Sequence, residues 1–273
     1  MSTGTTTGTG RGEYLLDNRE VGAAARFAAL SALFDRTTFQ HVDALGLAPG
    51  ARVWEVGAGG PSVPRGLAER VGPDGLVVAS DIAPEALTAV EAPGVRVLQH
   101  DVTADDPPGT FDLVHARLVL THLPDRGEAL RRMVSAVGPG GYLLVEDFDV
   151  DLQSAPCLTR STGPDDLVQD RARRVRKAFL ALLLGRGADL SYGRELPGLL
   201  REAGLREVGA DAVLPLPSPA GAILEAANVT QLRARLPRTG LVTDADVAAH
   251  IEALTSGTLP VAVPPLVSAW GRR

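Results

Sequence analysis

The chain has 273 residues, of which 45% are hydrophobic and 22% charged. This mixture is typical of a globular protein with a substantial core, and it excludes extended disorder as the main state. The formal net charge of −6 argues against a protein that binds nucleic acid through a basic face, because such binding depends on cationic side chains.

Cysteine usage and hydropathy also indicate in which cellular compartment the protein is expected. The single cysteine, Cys157, cannot form an internal disulfide. No apolar run reaches the roughly 18 residues of a membrane span, and the N-terminal sequence lacks the charged-then-apolar pattern of a signal peptide. We therefore expect a cytoplasmic protein that binds neither membrane nor nucleic acid. Residues 1–12 are rich in Thr and Gly and are predicted to form a disordered tail.

Strand and helix signals alternate through the first half of the chain. A helical pattern covers residues 13 to about 47, before the turn at Pro49-Gly50. Nearly continuous apolar strands separated by helices then indicate a parallel sheet covered on both faces. Strands are predicted at 52–56, 75–80, 95–98, 111–115 and 142–145, and helices at 61–71, 84–91 and 125–137, with a turn at 139–141.

Helical signals dominate the second half. Helices are predicted at 165–184, 194–203, 219–236 and 244–255, and strands at 207–214 and 266–270. Helices inserted between sheet strands often cover a ligand cleft. The predicted organisation is a lid of N-terminal helices at 13–48, a cofactor-binding core at 49–149, a helical cap at 150–190 and 219–257, and the remaining core elements at 191–218 and 258–273.

The most specific local signal is the segment after the first strand, which reads VWEVGAGGP from Val53 to Pro61. Glycines there let the backbone approach a ligand, and the N-terminus of the next helix offers N–H groups to an anion. Asp81 ends the second strand and Asp101 follows the third, at the sheet edge where open α/β sheets bind ligands. A carboxylate at position 81 can accept both ribose hydroxyls, and one at position 101 can accept an adenine amino group. Packing glycines and capping carboxylates are the alternative interpretation.

As a set, these segments resemble the class I S-adenosylmethionine-dependent methyltransferases. The resemblance runs from about residue 50 to 150. The chain as a whole also looks like methyltransferases of actinobacterial secondary metabolism. The resemblance implies a Rossmann-like, doubly wound α/β fold whose seven-stranded sheet is mostly parallel with an antiparallel last strand. Pro61 stands where the family has its third loop glycine, which leaves the exact path of the loop open. The matching residues are Glu55-x-Gly57-x-Gly59, Asp81-Ile82, His100-Asp101-Val102, Phe111-Asp112-Leu113-Val114 and Gly138-Pro139-Gly140-Gly141-Tyr142.

The resemblance implies S-adenosylmethionine as cofactor and gives a role to each matched position. Glu55 and the backbone of Gly57, Gly59 and Gly60 would hold the methionine ammonium and carboxylate, and Asp81 the ribose hydroxyls. The other implied contacts are Ile82 and Val102 around the adenine, Asp101 at its amino group, Ala116 and Arg117 near the sulfonium, and Tyr14 as a lid residue, for which an ordinary half-buried tyrosine is the alternative.

Methyl transfer is an in-line displacement, so the protein mainly supplies positioning and a dry site. A hydroxyl acceptor usually needs a general base, whereas an amine or an electron-rich ring carbon does not. His122 is the leading candidate for this base, with a structural histidine as the alternative. Related enzymes often have a histidine pair here, and Thr121 stands in the place of the first. Asp147 is the second candidate, since it could orient a base, bind a substrate hydroxyl or only cap a turn.

The acceptor is predicted to be a small or medium organic molecule with an apolar body, because the cap is rich in Leu, Val and Ala. C-, O- and N-methylation all remain open, with a phenol or an indole as examples. Thr121, Tyr192, Arg194 and Asn228 are the candidate substrate contacts. No spacing of metal ligands is visible, so no metal is expected. Oligomeric state is left open, with a homodimer as one option.

Two other functions are compatible with parts of this pattern. An NAD(P)-dependent oxidoreductase would need a glycine at position 62, where the chain has Ser62, and it gives no reason for Glu55 or Asp101. A non-catalytic scaffold that keeps the cofactor fold is the second alternative, which the set of acids and the cap disfavour.

Overall fold

A seven-stranded sheet forms the centre of the computed structural model, which describes residues 15–16, 22–87, 92–153 and 165–273, without the side chains of 165 and 166. The strand order is β3-β2-β1-β4-β5-β7-β6. β7 runs antiparallel to β5 and β6, and the other neighbouring strands pair in parallel. The predicted Rossmann-like fold is therefore confirmed. The strands are β1 (Arg52–Val56), β2 (Leu76–Asp81), β3 (Val95–Gln99), β4 (Phe111–Arg117), β5 (Val137–Phe148), β6 (Arg206–Val213) and β7 (Leu266–Arg272).

Helices cover both faces of the sheet because its central strands are apolar on both sides. The helices are α1 (Ala23–Ala44), α2 (Ser62–Val71), α3 (Arg126–Ala136), α4 (Asp165–Leu184), α5 (Tyr192–Glu202), α6 (Pro219–Gln231) and α7 (Asp244–Thr255). Val42 of α1 and Leu67 of α2 pack on one face, against Val53 and Leu144. The other face, with Trp54 and Leu143, packs against α3 and α5.

Several boundaries differ from the sequence-based expectation for local reasons. The described part of the first helix begins only at Ala23, after Gly22 with a φ of 105°. The predicted helix at 84–91 is a short 3₁₀ turn, Pro84–Leu87, in its described part. The predicted turn at 139–141 belongs to β5, where the register against β4 shifts. The sixth helix ends at Gln231, and a separate 3₁₀ turn, Leu236–Thr239, follows.

A second apolar cluster lies among α4, α6 and α7. Val175 and Ala178 of α4, Val229 of α6 and Val247 of α7 are buried there together with Leu16 from the N-terminal segment. These helices and α1, which packs along α6, form a helical layer at the carboxyl ends of the parallel strands. Over the described ranges, no helix is long and apolar enough to cross a lipid bilayer.

Candidate active site

A cavity of about 260 Å³ lies between the helical layer and the carboxyl ends of β1, β2 and β4. Gly57–Gly60 and the residues after β2 and β3 line one end. Apolar side chains line the other end, which is walled by α4 and α6. The apolar lining residues of these two helices are Phe179, Leu180, Leu183, Leu224 and Val229.

The glycine-rich loop can follow its path only because its residues lack side chains. Gly57 and Gly59 both have a φ of 61°, a left-handed conformation that favours glycine. A Cβ on Gly57 would lie 2.6 Å from Val119, and one on Gly59 would lie 2.7 Å from Phe27. The loop then enters α2, whose first turn has no side-chain cap. Its N–H groups are therefore available to an anion beside the cavity.

Two of the predicted carboxylates line this end of the cavity. Asp81 accepts hydrogen bonds from the backbone N–H groups of Gly59 at 3.0 Å and Ala83 at 2.9 Å, so it also fixes the glycine loop. Burial raises the pKa of the Asp81 carboxyl, although these two N–H groups lower it. Asp101 accepts from the N–H of Thr103 at 2.9 Å through Oδ1, which is the capping geometry of the alternative interpretation.

Two apolar residues follow these acids and also line the cavity. Ile82 is 58% exposed, whereas Val102 is 6% exposed. The structure brings both residues to the end of the cavity that holds Asp81 and Asp101. An exposed isoleucine beside two carboxylates provides an apolar surface for a flat ring next to hydrogen-bond acceptors.

Glu55 does not lie where the resemblance implied. Its side chain is 2% exposed and is not part of the cavity wall. The carboxylate instead accepts a hydrogen bond from Nδ1 of His115 on β4, and Nε2 of His115 donates to Glu146 on β5 at 3.3 Å. We call Glu55, His115 and Glu146 the buried ionic cluster. The expectation that Glu55 holds the methionine ammonium is replaced by a contact across three neighbouring strands.

The electrostatics of this cluster are those of an imidazolium held between two carboxylates. Burial alone would lower the pKa of His115, but the charges and hydrogen bonds of Glu55 and Glu146 raise it to about 9. Burial likewise opposes ionisation of Glu146, yet His115, His41 and Arg117 together hold its pKa well below the ordinary value. At neutral pH, His115 is therefore protonated and Glu146 is ionised.

Helix α1 closes the cluster from above. Thr38 donates to Glu146, and Nη1 of Arg117 donates to Thr38 at 2.9 Å. Arg117 also pairs with Asp35 at 2.8 Å and lines the cavity. Ala116, the neighbouring candidate, is 1% exposed, packs with the α3 and α5 face and does not line the cavity.

The turn after β4 places Thr121 and His122 in the cavity wall. Asp147 is fully buried and does not reach the cavity; its Oδ2 accepts from the backbone N–H groups of Leu120 at 3.1 Å and Thr121 at 3.3 Å. Asp147 thus positions the turn, which is the capping role, and it does not bind a substrate hydroxyl. Burial raises its pKa to about 7.

The environment of His122 keeps its imidazole neutral. Burial, reinforced by the charges of Arg26 and Arg126, lowers the pKa of His122 to about 4. A neutral imidazole can accept a proton, but a base with so low a pKa has a small driving force for proton transfer at pH 7.

The three candidates on α5 and α6 have different surroundings. Tyr192 is 3% exposed in the sheet core, and Arg194 forms a bidentate ion pair with Asp149; neither lines the cavity. Both expectations of substrate contact are therefore corrected. Asn228 lines the cavity, and its Oδ1 is buried without a hydrogen-bond partner in the part of the chain that the structure describes. Tyr14, the proposed lid residue, lies outside the described residues.

Comparison with known proteins places this geometry in a family. Residues 23–208 match the methyltransferase domain family. The chain belongs to this family. The match includes the glycine loop, both carboxylates of the cavity and the turn with His122, but it ends before α6 and α7.

Curated relatives of this methyltransferase domain cover several substrate classes. Methyltransferase str3 of Strobilurus tenacellus is 38% identical over 119 residues, which are 41% of this chain and 39% of that protein. Phosphoethanolamine N-methyltransferase 3 of Arabidopsis thaliana is 29% identical over 64% of this chain and 33% of its own length. A ubiquinone biosynthesis O-methyltransferase of Xanthomonas campestris is 34% identical over 37% of this chain and 44% of its own. The matches thus span less than half of each of these relatives.

Solved structures share the fold. Haemonchus contortus phosphoethanolamine N-methyltransferase 2, in complex with phosphomonomethylethanolamine and S-adenosylhomocysteine, superposes with a TM-score of 0.56 at 14% identity. The match covers 95% of this chain and 59% of that one. The YcgJ protein of Bacillus subtilis gives a TM-score of 0.53 at 14% identity, covering 88% of this chain and 98% of its own. At these identities the likeness concerns the fold.

Sequence reasoning missed several residues in the wall of this methyltransferase site. Phe27 of α1 lies against the glycine loop, and Arg26 is 5% exposed beside it. Arg176 of α4 and Glu225 of α6 line the far end. A buried arginine one residue from Phe27 has no sequence signature of its own, because its burial results from packing between α1 and α6. Within the described ranges, no group of three or more His, Cys, Asp or Glu side chains could hold a metal ion.

Proposed function

We propose that this chain transfers the methyl group of S-adenosylmethionine to a small organic acceptor with an apolar body. The observation that carries the proposal is the cavity that joins two kinds of wall. One end combines the glycine loop, the open N-terminus of α2 and the carboxylates of Asp81 and Asp101; the other end is apolar and lies under α4 and α6.

The residues at the polar end fit the cofactor. Only glycines allow the loop to lie against Val119 and Phe27, where a Cβ on Gly57 or Gly59 would clash, and the first turn of α2 offers N–H groups to the methionine carboxylate. Asp81 would accept the ribose hydroxyls, while Ile82 and Val102 would enclose the adenine with Asp101 at its amino group. Arg117 would lie near the methionine end. Glu55 is not included, because its carboxylate belongs to the buried ionic cluster.

The bound cofactor supplies an electrophilic methyl group, so the chain's own residues position the acceptor, exclude water and, where needed, take a proton. For a hydroxyl acceptor, His122 in the cavity wall would take the proton of that hydroxyl. Asp147 holds the turn that carries His122, because it accepts hydrogen bonds from two of its backbone N–H groups. Thr121 would help to fix the same turn, because its hydroxyl donates to the carbonyl of Asp189 at 3.1 Å.

Carbon, oxygen and nitrogen acceptors are all compatible with these contacts. A secondary metabolite such as a phenol or an indole suits the apolar wall. We therefore include in the proposal a role in secondary metabolism of the actinobacterial type. The 38% identity to methyltransferase str3, over 41% of the chain, is compatible with it.

Calorimetric titration with S-adenosylhomocysteine, NAD and NADP tests the cofactor. We expect micromolar binding of S-adenosylhomocysteine and no detectable binding of either nicotinamide cofactor. Asp81→Asn should weaken the binding by about 1–3 kcal/mol, because it loses charge-assisted hydrogen bonds. Asp74→Asn is the matched control, since Asp74 is exposed just before the opposite end of β2. Nicotinamide binding without S-adenosylhomocysteine binding would overturn the proposal, and equal affinities in both variants would make Asp81 a cap only.

A further inference from the structure

The far end of the cavity has an uneven distribution of polar groups. α4 and α6 contribute three polar residues to its wall, namely Arg176, Glu225 and Asn228. Arg176 donates to Oε1 of Gln153, and Glu225 faces Nε2 of His250 at 3.3 Å. The amide of Asn228 has no such protein contact among the described residues, and its Oδ1 is shielded from solvent. One polar side chain in this wall is thus available to a ligand.

The position of Asn228 favours a contact with the acceptor over one with the cofactor. It lies on α6, where the neighbouring Leu224 and Val229 line the cavity with apolar side chains. A buried amide without a partner costs about 1–3 kcal/mol of folding free energy. Side chains that bear such a cost are frequent where function requires them.

The charges around the cavity select the type of group that Asn228 would meet. Arg26 and Arg176 both line the wall. Burial lowers the pKa of His122 to about 4, and the positive charges of Arg26 and Arg126 add to this effect. At His122, Arg26 and Arg126 thus contribute a positive potential. A cationic amine would be repelled there, whereas a neutral hydroxyl can both donate to and accept from an amide.

We propose that Asn228 is a specificity-determining residue that binds a neutral hydroxyl, or an equivalent neutral hydrogen-bonding group, on an otherwise apolar acceptor. This inference rests on the proposed function and defines its substrate class. Asn228 orients the acceptor in the cavity; it takes no part in the bond changes. The positive charges of Arg26 and Arg126 are expected to weaken the binding of a cationic amine near His122.

The test uses three probes with one apolar body: 2-naphthol, 2-methylnaphthalene and 2-naphthylmethylamine. The hydroxyl and the methyl group have similar sizes, so their comparison isolates the hydrogen bond, and the amine adds a positive charge. Each probe is titrated into the full chain saturated with S-adenosylhomocysteine. We expect 2-naphthol to bind at least tenfold more tightly than either of the others. In Asn228→Leu this preference over 2-methylnaphthalene should disappear.

Leu180→Ala provides the control, because Leu180 lines the same cavity from α4 without a polar atom. It should weaken 2-naphthol and 2-methylnaphthalene together and leave their ratio unchanged. A thermal unfolding scan without ligands supplies a second readout. Asn228→Leu should raise the unfolding temperature by about 2–4 °C, since it removes an unpaired buried oxygen, whereas a purely structural amide would give a decrease.

The outcomes separate this inference from the proposed function. If the unmodified protein does not bind S-adenosylhomocysteine, the proposed function itself is refuted. If S-adenosylhomocysteine still binds, four results would overturn only the role of Asn228. They are that no probe binds, that the three probes bind equally, that Asn228→Leu keeps the hydroxyl preference, or that Asn228→Leu lowers the unfolding temperature.

Discussion

The variant Glu55→Gln tests the buried ionic cluster through the pH dependence of stability. His115 has an ordinary pKa of 6.5 in the unfolded chain and a pKa of about 9 in the folded protein. This difference corresponds to about 3 kcal/mol of stabilisation. Because the folded value is the higher one, the stabilisation is fully present below pH 6.5 and is lost as the pH rises through about 9.

Glutamine keeps the length of Glu55 and an oxygen that can accept from His115, but it removes the charge that raises the pKa of His115. We therefore expect the pKa of His115 to fall toward its ordinary value in Glu55→Gln. The decrease in unfolding free energy between pH 6.5 and 9.5 should then be smaller by about 1–2 kcal/mol than in the unmodified protein.

Urea unfolding at pH 6.5, 8.0 and 9.5 measures this difference, and NMR titration of the histidine Cε1–H signals measures the pKa of His115 directly. Asp211→Asn is the control, because Asp211 is the half-exposed partner of His41 at 3.0 Å. His41 also has a raised pKa, because the nearby carboxylates of Glu146 and Asp211 overcome the effect of its burial. The control changes this second histidine and should leave His115 as it is.

Two results would refute the reasoning. One is a His115 signal that titrates near pH 6.5 in the unmodified protein, and the other is an identical pH dependence in Glu55→Gln. The affinity for S-adenosylhomocysteine gives an independent check, because Glu55 lies outside the cavity wall. We expect it to change less than about twofold; a loss greater than about tenfold would assign Glu55 to the methionine ammonium after all.

Two further predictions concern the cavity wall. Gly59→Ala should abolish S-adenosylhomocysteine binding in a folded protein, because its Cβ would lie 2.7 Å from Phe27. Gly46→Ala is the control and should bind normally, since Gly46 has a similar positive φ and no atom within 4 Å of its added Cβ. Equal binding by the two variants would mean that the Phe27 side chain moves aside. His122→Gln should lower turnover of a hydroxyl acceptor by about 10², the lower end of the range for a general base, and the rate should not change between pH 6 and 8, since the pKa of His122 is about 4. A rate that rises around pH 6.5 and loses this dependence in His122→Gln would contradict the effect of burial.

The sheet could be predicted from the sequence because each central strand is an apolar run between turn signals. The antiparallel seventh strand followed from the family resemblance, and both agree with the observed strand order. The ends of elements were harder to predict, because they depend on tertiary contacts. A Cβ on Gly141 would lie 2.7 Å from the carbonyl of Asp112, so the glycines at 138–141 serve the irregular register of β5 and not a turn.

The position of the polar end of the cavity was also predictable, but the contents of its apolar end were not. The glycine loop is contiguous in sequence, and its preference for positive φ can be recognised locally. Arg26, Arg176 and Glu225 meet only through the packing of α1, α4 and α6. Their burial depends on contacts between segments 50 to 200 residues apart in sequence, and such pairings leave no local pattern.

The acids at the strand ends show what separates a cavity residue from a structural one. Asp81 is the last residue of β2, and Asp101 lies beyond the end of β3; both line the cavity. Glu55 and Asp147 are each the last residue but one of their strands. Both carboxylates are hydrogen-bonded to neighbouring backbone or side chains and do not reach the cavity.

The same distinction holds on β4. Arg117 is its last residue and lines the cavity, while Ala116, one position earlier, is buried on the α3 and α5 face. The physical reason is that a residue inside a central strand has a paired strand on each side and a helix above it, whereas the last residue has lost part of this cover. In this fold, a shift of one position along a strand therefore decides whether a side chain lines the cavity or the core, and a strand end that is misplaced by one residue in the sequence assigns the side chain to the wrong environment.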